Sequence, residues 1–168
     1  MSEQETESIL FPDISLFEES EDEGELDQQP QISAWAKSKI GTFQSRLEAL
    51  KASNDHKQRR SRGRKILTRL LVSLVNEAFG FNGWSSSILD CCSVADDFNT
   101  EQETYSIEQR ATVRITFQDG TFVDAEGKGY SLDCKQRAVG YSTSKKMAVT
   151  DGLRNAIMLF PDLLSNQS

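Results

Sequence analysis

The chain has 168 residues, the size of one domain, and its 37% hydrophobic content is too low for a core along the whole length. The net charge of −7 hides two blocks: residues 1–30 hold eleven acidic groups and no basic one, and the remainder carries nineteen basic groups against fifteen acidic. No apolar run approaches the ~18 residues of a membrane span, the acid-rich start excludes a mitochondrial transit peptide, and three cysteines (Cys91, Cys92, Cys134) without a secretory signal point to a reducing intracellular compartment.

Residues 1–30 read as a disordered acidic tail, interrupted by Ile9, Leu10, Phe11, Ile14, Leu16 and Phe17, which either dock on a partner or stay solvated. Residues 31–168 read as one domain. From Ser33, an acceptable N-cap, Ala36, Ile40, Phe43, Leu47 and Leu50 keep helical spacing. A basic stretch follows, with Lys51, Lys57, Arg59, Arg60, Arg62, Arg64, Lys65 and Arg69 against Asp55, and about 51–65 of it reads as a linker. Ile66, Leu67, Leu70, Leu71, Leu74, Val75 and Ala78 mark the apolar face of a second helix, with Gly80 at its C′ position.

Strands come next. Residues 84–92 read as a short strand and the acidic stretch 93–104 as a loop. Tyr105 to Phe117 alternate apolar and polar, the pattern of a half-buried strand. Asp119-Gly120 signals a hairpin. The return strand, roughly 121–132, lacks clean alternation, and Gly127 and Gly129 suggest a bulge, which leaves its register open. A third helix is expected from about Ser142 to Phe160, with Val149, Leu153, Ala156, Ile157 and Phe160 on one face. The order predicts an α+β fold, an antiparallel sheet with helices on one side.

Lys145 and Lys146 fall in the first turn of that third helix, where the dipole disfavours cations unless a phosphate binds. Lys146, Thr150 and Arg154 form an i, i+4, i+8 row. Two solvated lysines are the bland alternative. Arg110 and Arg114 share the exposed face of the long strand, where they either track a phosphate backbone or pair with Asp124 or Glu126. Arg69 projects from the polar face of the second helix. Phe81, in Phe79-Gly-Phe-Asn-Gly-Trp84, is either a platform for stacked bases or a hydrophobic contact closing the helix end.

Ser142-Thr-Ser-Lys145 matches the Ser-x-x-Lys of penicillin-binding enzymes without its companion motifs. One histidine, His56, and three cysteines give neither a spaced metal-ligand set nor a base for nucleophilic catalysis. Gly127-Lys-Gly129 is too short for a phosphate loop. No catalytic residue, metal ligand or cofactor is expected, and the chain does not read as an enzyme.

Asn76-Glu-Ala-Phe-Gly-Phe-Asn-Gly-Trp84, the Asp119-Gly120 hairpin, Gly127-Lys-Gly-Tyr130 and Lys145-Lys-Met-Ala-Val-Thr-Asp-Gly-Leu153 resemble, in order and spacing, the annealing domain of the Rad-fifty-two family. Ser33-Ala-Trp-Ala-Lys-Ser-Lys-Ile-Gly41 and Gln44-Ser-Arg46 are more similar to its short fungal branch, the Rad-fifty-nine paralogues. The resemblance covers about residues 31–162. It implies a β-β-β-α core with flanking helices, assembly into rings, and a groove that holds single-stranded DNA by its backbone with bases free to pair. It further implies a nuclear DNA repair and recombination protein that anneals complementary strands beside a larger paralogue.

The DNA-contacting set expected is Arg69, Phe81, Arg110, Arg114, Lys135, Lys145, Lys146 and Arg154. Of these, Arg154 and Lys135 stand at family basic positions. Leu70, Asn155 and Met158 stand where the larger member is basic, which implies a weaker groove. The end at Ser168, without a long tail, is expected of an auxiliary subunit. Two rival readings stay open: a DNA-inert subunit that works by joining its paralogue, and a double-stranded-RNA-binding module suggested by three strands and a helix opening Ser144-Lys-Lys-x-Ala148.

Overall fold

The computed structural model describes residues 32–57 and 66–165. The expected acidic tail 1–30 and residues 58–65 of the expected linker lie outside the described residues.

Helix α1 (Ala34–Lys57) buries Ala36, Ile40, Phe43 and Leu47, the stripe that the spacing predicts, and runs seven residues into the stretch read as linker. Ser33 caps it, its Oγ accepting the Ala36 N–H at 3.1 Å. The same hydroxyl donates to the Asp119 carboxylate at 2.5 Å, and the Ser33 N–H does so at 3.3 Å. The start of α1 is thereby latched to the hairpin 86 residues away. Burial would raise the Asp119 carboxyl, but hydrogen bonds from Ser33 Oγ and from Thr121 and Ser33 N–H outweigh it and hold it below the ordinary 3.8. A carboxyl lowered by folding adds stability above its unfolded pKa and loses it as pH falls through the folded value. Ser33→Ala should therefore cost about 1 kcal/mol at neutral pH. Urea unfolding should show that difference shrinking in acid, below pH 3.8.

Helix α2 (Thr68–Phe79) buries Leu71, Val75, Ala78 and Phe79. Gly80 ends it at φ +79, its N–H donating to the Asn76 carbonyl at 2.9 Å. Leu67 and Leu70, expected on the apolar face, are exposed, because the buried stripe is centred on Leu71 and Val75.

The sheet is antiparallel in the order β1-β2-β3. Strand β1 (Trp84–Asn99) runs seven residues beyond the expected end at 92, and the loop read over 93–104 shrinks to a turn after Asn99. Its register shifts between Ile88 and Asp90 and again between Ser93 and Ala95, so Leu89 and Val94 are the extra residues of two bulges. Strand β2 (Thr104–Phe117) alternates as predicted, with Ile107, Ala111, Val113, Ile115 and Phe117 inward. The hairpin turns at Gly120, φ +84, and closes with the Phe117 N–H on the Thr121 carbonyl at 2.8 Å.

Strand β3 (Phe122–Cys134) pairs with β2 in unbroken register from Phe122 to Ser131, so Gly127 and Gly129 form no bulge. They serve close approach instead. A Cβ on Gly129 would lie 1.9 Å from the Ser144 carbonyl oxygen, and one on Gly127 2.0 Å from the Gly152 nitrogen. Helix α3 (Arg137–Met158) meets them with Gly140, Ser144, Ala148, Gly152 and Ala156, a buried row of small residues at four-residue spacing. It starts five residues before Ser142, the expected start. Arg137 donates to the Asp96 carboxylate, as does Tyr141 Oη at 2.7 Å, and Gly140 packs against Ile107. Those hydrogen bonds from Arg137, then Tyr141, hold the Asp96 carboxyl below its ordinary range.

Helix α4 (Phe160–Ser165) follows a break at Leu159, so Phe160 belongs to a separate turn. Its ring meets Phe43 of α1, Phe79 of α2 and Phe117 of β2 at centroid distances of 5.3, 5.7 and 4.9 Å. Four elements thus share one aromatic centre, each pair adding about 0.5–1.5 kcal/mol beyond area burial. The expected α+β class, an antiparallel β-β-β-α core with flanking helices, is what the chain forms. No helix among the described residues is long and apolar enough to cross a membrane.

Candidate nucleic-acid interface

Because α3 lies so close to β3, its outer face and the edge of that strand form the walls of one groove. The groove encloses about 730 Å³ and is lined by Lys146, Met147, Thr150, Asp151, Arg154 and Asn155 of α3, Glu126, Lys128 and Tyr130 of β3, and Thr68 at the start of α2. The row Lys146, Thr150 and Arg154 read from helical spacing lies along one wall. The lysines are nine and ten residues into α3, not in its first turn, because packing of Gly140 and the Arg137–Asp96 contact start the helix earlier. Neither lysine is therefore a cation misplaced at a helix N-terminus.

Successive residues of α3 point to different sides. Lys146 faces the β3 groove, whereas Lys145 lines a smaller cleft of about 490 Å³ with Cys91, Gln109 and Tyr141. Among the described residues no carboxylate lies within ion-pairing distance of Lys128, Lys145 or Lys146. Arg154 is engaged, its Nη2 donating to Asp151 Oδ1 at 2.5 Å. Asn155, at a position the resemblance makes basic, donates from Nδ2 to the Glu126 carbonyl at 2.8 Å. The other Asp151 oxygen accepts the Lys128 N–H at 3.2 Å. Asp151 and Asn155 thus fasten the β3 edge to α3.

Arg110 and Arg114 share the outer face of the sheet with Glu126, Lys128 and Tyr130, Arg110 directly opposite Lys128, but neither arginine lines the groove. Arg114 pairs bidentately with Asp124 at 2.8 Å and lies 3.9 Å from the centre of the Phe122 ring. Arg110 Nε lies 4.0 Å from Glu126. The register puts Arg114 directly opposite Asp124, so the alternative of cross-strand pairing is the arrangement found. Arg69 and Lys135 are exposed; Arg69 adjoins Thr68 at the groove, and Lys135 sits in the turn between β3 and α3.

Phe81 is 84% exposed, so it closes no helix end. The Gly83 N–H donates to the Gly80 carbonyl at 3.3 Å, a Cβ on Gly83 would lie 2.2 Å from the Phe79 carbonyl oxygen, and the Gly83 carbonyl accepts the Gln118 N–H at 3.0 Å, a tight turn that leaves the ring outside. Trp84 beside it is half-buried, its Nε1 donating to Asn76 Oδ1 at 2.8 Å. Phe81 does not line the groove; α2, about 18 Å long, separates it from Thr68. Phe81→Ala is expected to leave stability within about 0.5 kcal/mol and to weaken single-stranded DNA binding by about 1 kcal/mol. Thermal melting and oligonucleotide titration check the two parts.

Sequence reasoning missed Lys128 and Tyr130. Tyr130 is 44% exposed, and partial burial, the Glu108 charge, its hydrogen bond with Glu108 and the Asp151 charge raise its phenol, which stays neutral. The signal was in Gly127-Lys-Gly-Tyr130: two glycines forced by α3 place Lys128 on the other side of the strand, toward solvent. Among the described residues no three His, Cys, Asp or Glu side chains gather as for a metal ion.

A family model described as Rad52/22 family double-strand break repair protein matches residues 39–168. The chain is 33% identical over 144 residues to the DNA repair and recombination protein rhm52 of Pyricularia oryzae, covering 83% of this chain and 26% of that protein. It is 30% identical over 142 residues to the DNA repair protein RAD59 of Eremothecium gossypii, covering 79% and 69%. With RAD59 of Saccharomyces cerevisiae the identity is 29% over 147 residues, covering 79% and 60%. The chain thus spans about a quarter of the Pyricularia relative and three fifths of the Saccharomyces one.

Proposed function

Because this chain belongs to the Rad52/22 family of double-strand break repair proteins, we propose that it binds single-stranded DNA in the groove between α3 and β3 and promotes annealing of complementary strands. The observation that carries this reading is the meeting of Lys128 and Lys146, neither ion-paired among the described residues, with Tyr130 in one open groove. Annealing breaks no covalent bond. It needs phosphate neutralisation and bases left free to pair, so cations and an aromatic suffice without a catalytic group or cofactor. Arg69, beside Thr68, extends the basic surface, and Phe81 offers a ring for stacking. Lys135 and Lys145 contribute charge outside the groove.

On this reading residues 31–168 form the annealing domain, residues 1–30 an acidic appendage, and the protein works in the nucleus beside a larger paralogue, in a homo- or hetero-oligomeric ring. Purified protein should speed the pairing of complementary oligonucleotides in a quenched-fluorophore assay; a rate equal to the protein-free rate at low salt ends the proposal. One observation favours the second reading, a DNA-inert subunit. Arg154, Arg110 and Arg114 are all committed to carboxylates, which leaves few cations for phosphates. Filter binding across salt separates the two, since a DNA-inert subunit retains no oligonucleotide even at low ionic strength.

A further inference from the structure

The groove is not lined by charge alone. Tyr130 and Met147 are 44% and 47% exposed in it, and they stand beside Lys128 and Lys146. Such a surface suits a ligand that carries apolar side chains next to acids. The chain itself contains one. Ile9, Leu10, Phe11, Ile14, Leu16 and Phe17 are followed by Glu18, Glu19, Glu21, Asp22, Glu23, Glu25 and Asp27, seven acids in ten residues with no cation among them.

We propose that the segment Ile9–Asp27 docks in the groove between α3 and β3 of its own chain and that single-stranded DNA must displace it. The proposal rests on the reading of that groove as the DNA site. Connectivity permits it. Ile32 is buried and Ser33 is bonded to Asp119, so the attachment point of the segment, Ile32, lies beside the β2–β3 hairpin. Glu126 to Tyr130 lie four to eight residues along β3 from Phe122, about 14–27 Å of strand. Glu18 lies fourteen residues before Ile32, a stretch that can span roughly 45–50 Å, so the acidic run reaches the groove.

Charge favours it, since the segment is wholly acidic and the remainder of the chain has an excess of cations. Tethering adds an effective concentration in the millimolar range, which turns a weak contact into an occupied one. A tethered polyanion and a phosphate backbone compete for the same lysines, and their contest is strongest where screening is least.

The test uses the full chain with its methionine methyls labelled, because Met147 lies in the groove. It is compared with the full-length variant Glu18→Gln, Glu19→Gln, Glu21→Gln, Asp22→Asn, Glu23→Gln, Glu25→Gln and Asp27→Asn. Without DNA, the Met147 methyl signal should differ between the two. The neutralised chain should bind a single-stranded oligonucleotide about tenfold tighter at low salt, and the advantage should vanish at several times physiological ionic strength. An unmoved Met147 signal overturns the docking, as do equal affinities when both forms bind. If neither form binds DNA, the nucleic-acid reading of the groove has failed, and the Met147 signal alone decides whether the segment docks.

Discussion

Gly129→Ala is expected to leave little or no folded protein. The added methyl carbon would sit 1.9 Å from the Ser144 carbonyl oxygen and 2.5 Å from the Ala148 nitrogen, both backbone atoms of α3. No rotamer relieves such a clash. Either α3 lifts from the sheet or β3 leaves its register with β2, and either move also disturbs Gly127, which packs on Gly152. Overpacking costs about 1–3 kcal/mol where side chains can yield. Here backbone must yield, so the loss should reach the upper end or beyond, a large share of the roughly 5–15 kcal/mol by which domains are stable. Gly41→Ala is the control. Its Cβ meets nothing within 4 Å, and the position lies inside α1, so it should stabilise by about 0.5–1 kcal/mol. Soluble yield and thermal unfolding of the two variants read the contrast, and a Gly129→Ala protein melting like the parent contradicts the close approach of α3.

The second large effect is expected on binding. Lys128→Ala combined with Lys146→Ala removes two groove cations that have no ion-pair partner among the described residues. No ion pair is broken, so stability should stay within about 0.5 kcal/mol. Affinity for single-stranded DNA should fall about tenfold or more near physiological salt, and the slope of log affinity against log salt should become shallower by about 0.7 for each lost phosphate contact. Arg46→Ala serves as comparison: that side chain pairs with Glu77 of α2 and does not line the groove, and its loss should leave the slope unchanged. An unaltered slope in the double variant would move the DNA site elsewhere.

Where one physical rule dominated, the sequence was legible. Strand β2 has neighbours on both sides and a helix over one face, so its apolar residues alternate without interruption. The face of α1 and the row Lys146, Thr150 and Arg154 follow from helical spacing in the same way. Strand β1 was half lost because it is an edge strand with two bulges, and each bulge exchanges the faces of every residue beyond it. Gly127 and Gly129 were misread because a glycine admitted for close approach looks, in sequence, like one that kinks a strand. The early start of α3 was hidden for a related reason: Gly140 resembles a breaker until Ile107 is seen against it. The choice between partners for Arg114 waited on register, which puts Asp124 opposite. Lys128 and Tyr130 escaped because their groove is made by a helix distant in sequence, and nothing local announces it.

The fastening of β3 by Asp151 and Asn155 bears on how this protein avoids fibres. An edge strand offers unpaired N–H and C=O groups to any passing strand. On β3, the Glu126 carbonyl and the Lys128 N–H are already taken by side chains of α3, so an incoming strand finds the middle of that margin occupied. Open-ended stacking needs two receptive margins on every molecule. With β3 obstructed, edge-to-edge pairing along β1 has no second margin through which to propagate. Asn155, whose side-chain amide takes the Glu126 carbonyl, acts as a terminator along that margin.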